Sequence, residues 1–333
     1  MEPVFLTGGT GFVGGHLLDH LVSRGQDVRA LARTGQAARD LEKRGAFPVR
    51  GHLLDETALR AGMEACGVVY HVAGVNAMCP PDPGELYRSN VSGSASVVRA
   101  AAAAGVPRVV VTSSVTALGV VPGTVGTEDS PNRGYFPSHY ARSKHLGERV
   151  AFDQGERHGV EVVAVLPASV QGAGRRTGSA RLFRYALGGK RPVVVPVDVS
   201  IVDVEDCTAA HVLAAGRGVA GERYIASGVT ISPTGILAEL SGIVGRPIRP
   251  IVLSSRVAGA VGYPLAVAAR IWRSDLDLCP EMLRTLLHDH RYDGSRATRD
   301  LGLAYTPFPV TLGRIVAWFA AEGLLDSEGA GLG

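Results

Sequence analysis

The chain has 333 residues, 46% of them hydrophobic, enough for one large or two modest domains with a sizeable core. Its formal charge of +3 is small for this length, and no run of Lys and Arg is interleaved with aromatics, which argues against a nucleic-acid-binding surface. Cys66, Cys79, Cys207 and Cys279 are scattered without a C-x-x-C pair, so they read as buried or free thiols with no metal or disulfide role. The N-terminus has no basic start and its apolar run breaks at glycine, unlike a signal peptide, so a cytoplasmic setting is expected.

Pro3 to Thr7 reads as a short buried strand, followed at once by Gly8-Gly9-Thr10-Gly11-Phe12-Val13-Gly14. His16 to Ser23 then has apolar residues at helical spacing and stops at Gly25, before a second strand at Val28 to Ala32. Strand, glycine turn and helix within one βαβ unit form a dinucleotide-binding fingerprint. Its glycines permit a tight turn, close approach to a pyrophosphate and close helix packing, and the pyrophosphate rests on the helix N-terminus. Where an NAD site usually carries an acidic residue after the second strand, this chain has Arg33. A guanidinium grips a 2′-phosphate that a carboxylate would repel, so NADP is favoured over NAD.

Strand and helix go on alternating. A helix at Ala37–Arg44, a strand at Phe47–Val49, a helix at Glu56–Glu64 and a strand at Val68–Ala73 predict an α/β Rossmann fold, a doubly wound parallel sheet. The Pro- and Gly-rich loop 74–83 follows a strand end, where ligands bind in such sheets. A long helix spans Gly84 to Ala104, and the strand Arg108 to Ser114 ends in hydroxyls. The helix Tyr140 to His158 sets Tyr140 and Lys144 one turn apart on one face. After the strand Glu161–Leu166 the pattern loosens into a smaller, interleaved C-terminal α/β substrate region. The expected division is 1–166 plus roughly 201–226 for the dinucleotide, and 167–200 with 227–333 for the substrate. The apolar stretch Val257 to Ile271 contains Pro264 and falls short of the roughly 20 residues a spanning helix needs. It reads as a buried or substrate-lining helix, with no stable membrane insertion.

A phenol of ordinary pKa about 10 is a poor base at neutral pH, and a nearby ammonium stabilises its phenolate. Tyr140 beside Lys144 can therefore exchange a proton with a substrate oxygen while hydride moves to or from a nicotinamide. Ser114, at the end of the adjacent strand, can hold the same oxygen.

With these motifs the chain resembles the extended short-chain dehydrogenase/reductase family, the NAD-dependent epimerase/dehydratase superfamily. The residues carrying the likeness are Thr7 to Gly14, His71-Val72-Ala73-Gly74, Asn90-Val91-Ser92-Gly93, Thr112-Ser113-Ser114 and Tyr140-Ala141-Arg142-Ser143-Lys144. The likeness is strongest to the branch that is dihydroflavonol-reductase-like, hydroxysteroid-dehydrogenase-like and akin to hopanoid-associated sugar epimerases. It implies a catalytic Ser114, Tyr140 and Lys144. It implies that Gly8, Gly11 and Gly14, with Thr10, Phe12 and Val13, hold the pyrophosphate. Ala73 and Gly74 would lie against the adenosine half, with Asn90 and Thr112 in neighbouring motifs. Lys144 would also bond the nicotinamide ribose, and Pro167, Ala168, Ser169 and Val170 would line the nicotinamide. It further implies a homodimer pairing the helices at 84–104 and 140–158. The family's usual Asp after the third strand is His52 here, which leaves the adenine contact to Leu53 or a backbone group. The segment Val199 to Asp206 lacks the preceding Arg that grips a sugar-nucleotide diphosphate.

Three functions follow. The first is an NAD(P)-dependent oxidoreductase interconverting a ketone and a secondary alcohol on a largely apolar small molecule. The second is a nucleotide-sugar epimerase or dehydratase with tightly bound NAD. The third is a non-catalytic cofactor-binding module on the same fold. Asn76, Met78, Thr116, Gln171 and Tyr185, with Tyr87, are pocket candidates drawn from loops and strand ends.

Overall fold

The fold is that of a computed structural model, which describes residues 2–121, 123–176, 178, 180–271, 279–287 and 290–324. Twelve strands follow in chain order: β1 (Val4–Thr7), β2 (Val28–Ala32), β3 (Phe47–Arg50), β4 (Val68–His71), β5 (Arg108–Thr112), β6 (Glu161–Pro167), β7 (Ser169–Gln171), β8 (Val193–Val194), β9 (Val199–Asp203), β10 (Arg223–Ala226), β11 (Val229–Ile231) and β12 (Ile251–Val252). The helices are α1 (Phe12–Ser23), α2 (Gly35–Lys43), α3 (Glu56–Met63), α4 (Pro83–Tyr87), α5 (Gly93–Ala103), α6 (His139–His158), α7 (Ala180–Leu187), α8 (Val204–Arg217), α9 (Pro233–Val244), α10 (Ser255–Ile271), α11 (Pro280–Leu286) and α12 (Phe308–Ala321).

Seven strands form one parallel sheet in the order β10-β6-β5-β4-β1-β2-β3. The central strands read as continuous apolar runs because helices cover both faces. Val4 to Thr7 and Val109 to Val111 are wholly buried. The order reverses between β1 and β4, and the crevice beyond the carboxyl ends of these two strands is where an open α/β sheet takes its ligand. The other strands form a three-stranded sheet, β11-β9-β7, and a pair, β12-β8. Around them α7, α9 and α12 bury Phe183, Leu187, Leu237, Leu240, Leu312 and Phe319 as a separate core.

The expected helix over 84–104 is interrupted by a π turn, Arg88–Ser92, between α4 and α5. The extra residue swings Asn90 inward, a device π turns supply near functional sites. Helix α6 is bounded by its own chemistry. The Ser138 side chain accepts a hydrogen bond from Ala141 N, and Gly159 ends the helix at φ +70°.

Two expectations are corrected. Cys79 and Cys279 are not free thiols but form a disulfide across 200 residues of sequence, joining the loop after β4 to the start of α11; Cys66 and Cys207 are the buried free thiols. Two cysteines this far apart leave no local spacing signal. The stretch Val257 to Ile271 is helical, as α10, but not buried: Val257, Val261 and Leu265 stand about half exposed. Its inward side is taken by small residues, Ala258 and Ala266. Among the described residues no helix is long and apolar enough to cross a membrane, and no cluster of His, Cys, Asp or Glu could hold a metal ion.

Candidate active site

The glycine turn is built by close approach. Gly8 has φ +80°, and a Cβ there would lie 2.7 Å from the backbone nitrogen of Ala73 at the end of β4. A Cβ on Gly14 would fall 2.2 Å from the Gly8 carbonyl oxygen. Glycine at both positions therefore draws α1 onto β1 and β1 onto β4. Gly11 is the N-cap of α1 and offers no side-chain cap, so the first N–H groups of the helix stay available to an anion. Thr10 and Gly11 are exposed there, with Phe12 and Val13 half-buried behind them.

Beneath the turn runs a buried relay. Ala73 N donates to Thr7 Oγ1 at 3.1 Å, and Thr7 Oγ1 pairs with His71 Nδ1 at 2.8 Å. His71 Nε2 lies 3.1 Å from Ser94 Oγ, which donates to the Asn90 carbonyl at 2.8 Å. With that Ser94 proton committed, His71 must donate from Nε2 and accept at Nδ1. Burial, and after it the charge of Lys144, pushes the His71 pKa down to about 3, so the ring stays neutral and the relay intact. Asn90 closes the loop above. Its Oδ1 accepts from Val75 N at 2.8 Å, and its Nδ2 donates to Val75 O and to Ser143 Oγ. Asn90 thus holds the backbone beside Gly74 to α6, a framework part that motif position alone does not specify.

On α6 Tyr140 and Lys144 face the same crevice. The Ser114 hydroxyl lies 3.0 Å from Thr116 Oγ1, and it is near enough to the Tyr140 phenol to pull its pKa down. Lys144 Nζ donates to the Thr112 carbonyl at 2.5 Å, and a Cβ on Gly74 would lie 3.7 Å from that nitrogen. Thr112 is itself held by its hydroxyl, 2.7 Å from Nε2 of the buried His211. The chain Gly8, Ala73, Gly74, Lys144 therefore ties the α6 pair to the glycine turn by direct approach.

Electrostatics at the site differ from the simple pairing expected of Tyr140 and Lys144. Burial raises the phenol above its ordinary value, and Ser114 and the charge of Arg175 pull it back. Burial pushes the Lys144 ammonium down to about 8, against the pull of Glu148 one turn on. A cation that acts on the phenol is Arg175, from the loop after β7. Its guanidinium stands 5.7 Å from the Phe12 ring centroid and donates to the Val170 carbonyl. Arg175 is a second bridge from Tyr140 to the glycine turn, and nothing in the local sequence pattern marks it.

The Arg175 loop is pinned by His16, at the start of the second turn of α1. His16 Nδ1 is 2.7 Å from Glu205 Oε1 and Nε2 is 3.1 Å from the Ala173 carbonyl. Both partners are acceptors, so only the doubly protonated ring satisfies both. The bond to Glu205 accordingly raises the His16 pKa above 6.5. The stabilisation is complete below the unfolded value and is lost as pH climbs through the raised folded value. His16→Ala is expected to lower the unfolding midpoint at mildly acidic pH, with the gap to wild type narrowing as pH rises. A gap independent of pH, followed by thermal unfolding across that range, would remove the ion pair from this role.

Of the other sequence candidates, Pro167 ends β6, and Ala168 just after it donates its N–H to the Ala226 carbonyl. Ser169 and Val170 lie on β7, where the buried Gln171 donates to Ser169 Oγ. Asn76 and Met78 sit on the loop before Cys79. The Tyr87 hydroxyl lies 2.9 Å from His139 Nδ1, next to Tyr140. Tyr185 is not brought to the crevice; it is 47% exposed on α7 with the Lys190 ammonium over its ring. Arg33 is exposed just past β2. Near it, a Cβ on Gly35 would meet Arg50 Nη1 at 3.2 Å and Arg39 Nη1 at 3.6 Å. The sequence reading singled out Arg33 and missed these two, because Arg50 arrives from β3. His52 turns its Nδ1 to Leu54 N, and Leu53 packs towards Gly93.

Residues 4–226 match the NAD dependent epimerase/dehydratase family. The chain belongs to that family. It is 32% identical to a Synechocystis sp. protein that bears the name dihydroflavonol 4-reductase, over 97% of this chain and 96% of that one. It is 29% identical to sterol demethylase protein B of Methylococcus capsulatus, over 96% and 99%. The crystal structure of gox2253 superposes with a TM-score of 0.84 at 26% identity, covering 98% of this chain and all of that one. This epimerase/dehydratase-family member is an NAD(P)-dependent oxidoreductase of the extended short-chain dehydrogenase type.

Proposed function

We propose that the protein interconverts a ketone and a secondary alcohol on a largely apolar substrate, using NADP. The observation that carries the reading is the Tyr140 phenol, its pKa pulled down by Ser114 and the charge of Arg175, on the same helix as Lys144, which reaches Gly74 and the glycine turn. The dinucleotide, when bound, supplies or accepts the hydride. Its pyrophosphate fits the uncapped start of α1 and the bare surfaces of Gly8, Gly11 and Gly14. Lys144 would hold the nicotinamide ribose, and Pro167 to Val170 would flank the ring. Tyr140 gives its proton to the nascent alkoxide during reduction and takes it back during oxidation. Ser114 fixes the substrate oxygen, and Arg175 keeps the phenolate form accessible. The sterol named for one relative and the reductase named for another support an apolar, carbonyl-bearing substrate. On this reading residues 1–166 with roughly 201–226 serve the dinucleotide, residues 167–200 with 227–333 serve the substrate, and α5 and α6 pair in a homodimer.

Cofactor choice rests on Arg33, with Arg39 and Arg50 beside Gly35. Arg33→Ser with Arg50→Ser is expected to cost NADPH about tenfold to a hundredfold in KM, as charged hydrogen bonds are lost, and to leave NADH unchanged. Steady-state kinetics with both cofactors checks this. A wild-type preference for NADH would overturn the NADP assignment.

A further inference from the structure

Helix α10 is amphipathic in the wrong sense for a soluble protein. A helix on a globular surface turns its large apolar residues inward. Here Ala258 and Ala266 face the protein, and a Cβ on Gly262 would already meet Leu283 of α11 at 2.9 Å. Val257, Val261 and Leu265 recur every four residues on the outward side, at 48%, 55% and 56% exposure. The patch continues along the chain into β12 and its partner β8, where Ile251, Val252 and Val193 are also exposed.

The rim of this patch carries one sign of charge. Lys190 and Arg191 are exposed just before β8, Arg249 just before β12, and Arg256 at the start of α10. The whole chain is only +3, so the cations are concentrated here. Arg191 Nε donates to the Arg249 carbonyl at 3.3 Å, which brings the two basic segments together beside the β8–β12 pair. Lys190 lies over Tyr185, the exposed aromatic of α7.

We infer that the outward face of α10, with β12, β8 and their arginine and lysine rim, docks on an anionic lipid bilayer. Exposed apolar side chains ringed by cations are what an interfacial helix offers to headgroups and the acyl boundary. A second copy of this chain is the poorer fit, because a two-fold contact would set cations against cations. The 17 residues of α10 span about 25 Å at 1.5 Å per residue and lie in the membrane plane rather than across it. Helix α10 is linked to the crevice through its inward side. Helix α11, packed on α10, is joined by Cys79–Cys279 to the loop after β4, and Glu281 of α11 accepts from the backbone N–H of His139, next to Tyr140. The docking stands whether or not the ketone assignment does.

Flotation of the full chain tests it, with vesicles of phosphatidylcholine alone and of phosphatidylcholine mixed with phosphatidylglycerol. Wild type is expected to float with the anionic vesicles and to be released by salt. Val261→Asp with Leu265→Asp should cut the bound fraction about tenfold or more, since the apolar insertion is lost and charge is added. Lys190→Glu with Arg191→Glu and Arg249→Glu should weaken binding about fivefold per cation removed. Both variants should keep the wild-type unfolding midpoint and NADPH affinity, which separates a lost surface from a lost fold. Wild type that stays in solution with anionic vesicles, variants that float like wild type, or self-association abolished by the aspartates would each overturn the proposal.

Discussion

Tyr140→Phe is expected to lower kcat about a thousandfold while leaving NADPH affinity within about twofold, as removal of a positioned general acid does. Ser114 and the charge of Arg175 both pull the phenol's pKa down against the rise that burial imposes. Phenylalanine keeps the ring and its packing. The Lys144 bond to the Thr112 carbonyl and the glycine turn do not involve the lost oxygen. Ground-state binding should therefore survive while proton transfer fails, a signature read by steady-state kinetics beside calorimetric titration of NADPH. Turnover within tenfold of wild type would remove Tyr140 from the mechanism. Arg175 adds a directional corollary. Its charge opposes the rise that burial imposes on the phenol, so Arg175→Met should move the rising, acid-side limb for alcohol oxidation to higher pH. A limb that stays in place, or moves to lower pH, would separate Arg175 from the phenol.

How much of this was legible in the sequence depends on how far apart the partners lie. The glycine turn needs only Gly8 to Gly14 between a strand and a helix, and the structure builds both elements there. The Tyr140–Lys144 face needs only helical periodicity, with Ser138 as its cap. What stayed hidden are contacts between segments that no local pattern relates. Lys144 meets a carbonyl of β5, and Arg175 comes from a loop after β7. The π turn that aims Asn90 at Val75 was also invisible, because the small and apolar residues of α5 are buried on most sides and hide the change of phase. Helix α10 shows a different limit. Its composition was read correctly as apolar, but composition does not say which side meets the protein when Ala and Gly are small enough to take the inward one.

The disulfide is the long-range contact with the largest consequence for stability. Reducing Cys79–Cys279, or replacing Cys79 by serine, is expected to cost about 2–4 kcal/mol, because the bond closes a very long loop and restricts the unfolded chain. The loss should not fall evenly on the fold. Helix α11 keeps other tethers, since Glu281 accepts from His139 N at 3.1 Å and Arg284 donates to the Pro137 carbonyl at 3.1 Å. The loop after β4 is anchored by Asn90 at Val75, and Asp82 caps the helix that follows. Between these anchors Cys79 is the covalent tie to α11, so opening the bond should loosen this loop first. Thiol titration of the denatured protein should find two thiols without reductant, Cys66 and Cys207, and four with it. Limited proteolysis should then cut the reduced enzyme sooner between Gly74 and Pro83, and substrate KM should rise while NADPH affinity holds, because the glycine turn is fastened by Thr7 and His71 instead. An unfolding midpoint in urea that reductant leaves unmoved would show that the bond carries no stability.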